Sequence, residues 1–144
     1  MTQRNDCGSR IAAAGLGLAA ALVACAAMAG DPGATAASHA STMTQEQLVE
    51  HLTRHPQHLF VLDVRTPEEY AGGHVPGATN VPLDQLATRL AEVPKDKDVV
   101  VYCRTGRRSA QAADVLAANG YQRVSLLEGD MQAWAARGRP VEKR

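Results

Sequence analysis

Apolar residues fall into short unbroken runs separated by stretches of helical period. Leu59-Phe60-Val61-Leu62 and Val99-Val100-Val101-Tyr102 are runs of strand length with no polar interruption, the pattern of parallel strands covered on both faces. Val124-Ser125-Leu126-Leu127 reads as a further strand and Asn80-Val81-Pro82 as a very short one. Between these runs the period lengthens. Thr44 and Gln47 form a capping box ahead of Leu48, Val49 and Leu52, and that helix stops before Pro56. Residues 66–80 carry Pro67, Gly72, Gly73, Pro76 and Gly77, a punctuated connection with one helical turn at Pro67–Ala71. Leu83, Leu86 and Leu90 space out a helix ended by Pro94. Ser109 opens another, with Ala112, Ala113, Leu116 and Ala117 on one side and Asn119-Gly120 as its close. The last helix runs from Asp130 to Arg137, carries Trp134 and stops at Gly138. Strands alternating with helices predict an α/β domain around a parallel sheet. Ligands of such sheets sit beyond the carboxyl ends of the strands, which is where Cys103 lies.

The first residues do not follow this pattern. Arg4 and Arg10 face a single acid, Asp6, and Ile11 to Ala24 contains only apolar residues, Ala and Gly. A helix of that length spans about 21 Å, short of the roughly 30 Å hydrocarbon core, so residues 1–25 are expected to be an export signal. Two processing sites compete. Leu22-Val23-Ala24-Cys25 resembles a bacterial lipobox, in which Cys25 is lipidated, and this is the preferred reading; Ala27-Met28-Ala29 fits ordinary signal peptidase. Residues 26–42, rich in Ala, Gly, Ser and Thr, are expected to be a flexible tether of about 20–24 Å reach. The globular domain is expected over 43–144, in the periplasm or otherwise outside the cytoplasmic membrane, with the bilayer touched only through a lipid anchor.

With 144 residues there is room for one catalytic domain. The formal net charge of zero leaves no bulk basic field to recruit nucleic acid, so electrostatic function must be local. Once Cys7 and Cys25 are removed or lipidated, Cys103 is the sole thiol of the folded part, and no internal disulfide can form. His51 and His55 are spaced i, i+4 on a helix and His74 sits in a Pro/Gly turn, but none of the histidines makes a convincing metal-ligand set. His74 and Trp134 are expected to be structural.

Cys103-Arg104-Thr105-Gly106-Arg107-Arg108-Ser109 joins a buried strand to a helix N-terminus, with three guanidinium groups and one glycine in between. Several backbone N–H groups are expected to converge on the sulfur, favouring the thiolate. Such a cradle suits a thiolate, a persulfide or a sulfur oxyanion, and equally phosphate or arsenate.

Asp63-Val64-Arg65, Glu68-Glu69-Tyr70, Gly73-His74-Val75-Pro76-Gly77-Ala78, the Cys103–Ser109 loop, and Gly129 with Ala133-Trp134 and Gly138-Arg139-Pro140-Val141 together resemble the rhodanese (thiosulfate sulfurtransferase) family. The resemblance implies a five-stranded parallel sheet flanked by helices on both sides. It also implies Cys103 as catalytic persulfide carrier, with no cofactor beyond that covalent sulfur. Arg104, Thr105, Gly106, Arg107, Arg108 and Ser109 are expected to form the substrate-binding loop, with Arg104 and Arg107 binding the donor because they flank the glycine; the positions between the cysteine and the glycine vary within the family, so Arg104 and Thr105 leave the substrate open. By analogy with the family Arg108 is expected to point back and pair with a carboxylate such as Glu69, and Asp63 and Arg65, at the mouth of the neighbouring strand, are expected to support the same network. The donor is expected to be a small sulfur-containing anion such as thiosulfate, the acceptor cyanide or a thiol, including one on a protein. Where a second glycine usually follows Gly129 this chain has Asp130, expected to alter the start of the last helix rather than the chemistry.

Two rivals remain. A phosphatase or arsenate reductase needs Cys and Arg six positions apart, but Ser stands at 109 and the arginine comes one residue early. A persulfide carrier without turnover needs the same thiolate.

Overall fold

A computed structural model of the chain describes residues 40–144. Residues 1–25, expected to be an export signal, with Cys25 among them, and most of residues 26–42, expected to be a tether, lie outside the described residues. Among those described, no helix is long and apolar enough to cross a membrane.

Five strands, β1 (Ser41–Met43), β2 (Leu59–Asp63), β3 (Thr79–Asn80), β4 (Asp98–Tyr102) and β5 (Val124–Leu127), form one sheet in the order β1-β5-β4-β2-β3. Every pairing in it is parallel. The apolar runs supply the centre of the sheet: Val61 lies opposite Val100 and Leu62 opposite Val101.

Alternation along β2 and β4 feeds two cores, because successive side chains point to opposite faces. Leu62, Val99 and Val101 pack with Leu86 of α3 (Leu83–Leu86) and Ala112, Ala113 and Leu116 of α4 (Arg107–Ala118). Val61, Val100 and Tyr102 pack with Leu48 of α1 (Gln45–Arg54), Tyr70 of α2 (Pro67–Ala71) and Trp134 of α5 (Asp130–Ala136). Helices therefore cover both faces, as the resemblance implies.

Three boundaries differ from expectation. Ser41 and Thr42, assigned to the tether, are strand residues in register with Ser125 and Leu126. Their Ser-Thr-Met sequence has no apolar pattern because this edge strand is half exposed. The helix through Leu83, Leu86 and Leu90 breaks after Leu86 and resumes as a 3₁₀ turn at Leu90–Glu92. Finally, α4 starts at Arg107 instead of Ser109, because Gly106 adopts φ 98° and turns the chain into the helix two residues early.

Candidate active site

Three strand ends meet at the carboxyl edge of the sheet. β2 ends in Asp63, β4 delivers Cys103 and β5 leads to Gly129. Cys103 is a free thiol, 1% exposed. Its Sγ accepts a hydrogen bond from the Gly106 N–H at 3.1 Å. Only this amide reaches the sulfur among the described residues, where several were expected. The early helix start explains the difference: the amides of Arg107, Arg108 and Ser109 form the first turn of α4, whose N–H groups have no intrahelical acceptor. They have no hydrogen-bond partner among the described residues.

The loop arginines divide. Arg104 and Arg107 are exposed, as is Thr105, and neither arginine has an ion pair among the described residues. Arg108, grouped by sequence with substrate binding, turns to Glu69 through two bonds, Nη1 to Oε2 at 2.7 Å and Nη2 to Oε1 at 3.0 Å. That pairing is the one the resemblance suggested. The Arg108 guanidinium holds the Glu69 carboxyl below its ordinary range, against a smaller opposing effect of burial.

Ser109 was also placed in substrate binding, but it is fully buried. Its hydroxyl lies 2.9 Å from Gly106 O and 3.0 Å from Asp130 Oδ1. Having one proton, it donates to one of them at a time.

Asp63 and Arg65 form a buried fork, with Arg65 Nη2 2.6 Å and Nε 3.0 Å from the carboxylate. Arg65 also donates to Gly73 O at 2.9 Å, so it ties the end of β2 to the turn after α2. The pair is completed by a residue that the sequence did not single out. Tyr102 donates its hydroxyl to Asp63 Oδ2 at 2.6 Å and accepts from Val75 N at 3.1 Å. Burial, and then the Asp63 charge, push the Tyr102 hydroxyl well above its ordinary pKa, so it stays a neutral donor. His74 lies apart from the loop, buried and stacked on Tyr70 with Nδ1 2.8 Å from Tyr70 O.

Asp130 shapes the start of α5, with φ 50°, and its carboxylate also reaches the backbone of Cys103: Oδ1 accepts from the Cys103 N–H at 2.7 Å. The first amides of α5 complete the junction, Met131 N donating to Cys103 O and Gln132 N to Arg104 O. An acid at a helix start reads in sequence as a cap, and only the approach of α5 to the loop reveals its second partner.

A cleft of about 880 Å³ opens beside the loop, walled by Arg104 and Thr105, by Arg65 and Glu68, and by Met131 and Ala135.

Residues 44–137 match the family described as rhodanese-like domain. A sulfurtransferase of Allochromatium vinosum is 46% identical over 83 residues, covering 58% of this chain and 78% of its own length. The thiosulfate sulfurtransferase PspE of Escherichia coli is 46% identical over 70 residues, 47% of this chain and 67% of that protein. Among solved structures, a rhodanese-related protein of Thermoplasma volcanium superposes with a TM-score of 0.64 at 30% identity, covering 72% of this chain and 99% of the other.

Proposed function

The chain belongs to the rhodanese-like domain family, and from that premise we propose that it is a transferase of sulfane sulfur working through a persulfide on Cys103. The Cys103 thiolate attacks the outer sulfur of thiosulfate or a similar donor. A new S–S bond forms as the donor's S–S bond breaks, and sulfite leaves with the electron pair. An acceptor, cyanide or a thiol, then attacks the outer sulfur and the Cys103 thiolate departs. Sulfite is a good leaving group, so no general base beside the sulfur is required.

The observation that carries this reading is the arrangement of amides. Gly106 N–H is directed at Sγ, and the partnerless first-turn amides of α4 lie beyond it, where a second sulfur bearing negative charge gains most from them. Arg104 and Arg107 are free to attract an anionic donor. The same geometry weighs against a phosphatase. Arg108 is committed to Glu69, and the sixth position after the cysteine, where a phosphatase loop carries its clamping arginine, is a buried serine.

Turnover separates an enzyme from a carrier. With excess thiosulfate and cyanide the protein is expected to release many equivalents of thiocyanate per Cys103; release that stops at one equivalent would make it a carrier, and none would remove the reading. We further propose that the domain works outside the cytoplasmic membrane. A mature protein still carrying residues 1–25 by intact mass would contradict that placement.

A further inference from the structure

We propose that Asp130 is a positioning residue for Cys103 whose charge sets which donors the loop accepts, disfavouring a dianion relative to a monoanion. The inference rests on the reading of Cys103 as the sulfur-accepting nucleophile.

One oxygen of Asp130 bridges the two ends of the loop. Oδ1 accepts from the Cys103 amide at 2.7 Å and lies 3.0 Å from the Ser109 hydroxyl. The other oxygen sits under the tip: a Cβ built on Gly106 would come within 3.2 Å of Oδ2. Asp130 is 6% exposed and, among the described residues, the one non-glycine at positive φ. A backbone conformation that L-residues adopt at a cost is thus held where it delivers a carboxylate to the amide of the very residue that carries the sulfur.

Two of the four arginines around the loop are already paired. Arg65 is spent on Asp63 and Arg108 on Glu69. Arg104 and Arg107 remain, and Glu68 shares the cleft with Arg104. A buried negative charge next to the nucleophile repels an incoming anion in proportion to that anion's charge. Thiosulfate, a dianion, is penalised more than a thiosulfonate, a monoanion offering the same outer sulfur. In either case the thiolate forms the new S–S bond and sulfite or sulfinate leaves with the electron pair. The hydrogen bonds hold the loop while the charge selects the donor.

Two substitutions in the full chain separate these roles. Asp130→Asn keeps an acceptor oxygen and removes the charge; Asp130→Ala removes both. Alkylation of the Cys103 peptide, followed by mass spectrometry with anionic iodoacetate and neutral iodoacetamide, reads the field at the sulfur without any sulfur transfer. Asp130→Asn is expected to raise the iodoacetate-to-iodoacetamide rate ratio about three- to tenfold, and the thiosulfate-to-methanethiosulfonate ratio of kcat/KM in the same direction. Asp130→Ala is expected to lower kcat for both donors alike. Unchanged ratios in Asp130→Asn overturn the charge assignment, and a wild-type kcat in Asp130→Ala overturns the positioning one. If the wild-type protein takes sulfur from neither donor, the transfer reading falls, while the alkylation ratio still decides the role of Asp130.

Discussion

Glu69 and Arg108 show how one side-chain pair joins two elements around Cys103. Glu69 belongs to α2, where its Oε2 also accepts from the Thr66 amide at 3.2 Å, closing the capping box. Arg108 belongs to the first turn of α4. Both side chains are about 30% exposed, at 31% and 29%, so the pair is worth about 0.5–1 kcal/mol rather than the larger value of a buried bidentate pair. The carboxyl of Glu69 is lowered by folding, so this stabilisation is complete at neutral pH. It is lost as pH falls below about 4.5 and through the folded carboxyl's range, because the folded state must then give up its ionised form. A double-mutant cycle with Glu69→Ala and Arg108→Ala is expected to show that coupling at pH 7 and a smaller one as pH falls below about 4.5; coupling that does not change with pH would show that the charges do not matter. At this scale the sequence was legible where chemistry is local. Cys103 with its arginines stands out by position alone. The partners of Asp130 and Tyr102 do not, because Asp130 meets Cys103 across 27 positions and Tyr102 meets Asp63 across 39. Neither spacing belongs to a helix or a turn.

Helices and strands were legible in their interiors and less so at their ends. The runs at 59–62 and 99–102 mark β2 and β4 because a strand buried on both faces tolerates no polar residue. β1 was missed because three residues on an exposed edge carry no such demand. The start of α4 was displaced because it depends on the left-handed turn at Gly106 and not on the later Ser109. The junction of β5 with α5 depends in the same way on Gly129. Its φ is 69°, and a Cβ there would lie 2.4 Å from the Ala133 Cβ. Gly129→Ala therefore pushes the first turn of α5 away, and with it the amides that hold Cys103 O and Arg104 O. The expected cost is about 2–4 kcal/mol from left-handed strain plus overpacking, or roughly 10–20 °C in Tm, with slower sulfur transfer. A variant melting within about 2 °C of the wild type would contradict this account of the junction.

For the molecule as a whole, alternation of strands and helices was enough to infer a parallel sheet, whereas the strand order was not readable from the pattern. That order matters for the site. With β4 central and β2 and β5 on either side, the cysteine, the Asp63–Arg65 fork and the Asp130 junction emerge side by side at one edge. The helices on both faces bury the strands that deliver them. The sheet fixes where Cys103 stands, and α5 and α2 brace its loop through Asp130 and Glu69. The central claim is that this frame presents Cys103 to take up and hand on one sulfur atom. Incubation with thiosulfate followed by mass spectrometry of the Cys103 peptide tests it most directly. The account predicts an added mass of about 32 Da on that peptide, removed by cyanide and absent in Cys103→Ser. A peptide of unchanged mass in the wild-type protein, or sulfur uptake that survives in Cys103→Ser, would contradict it.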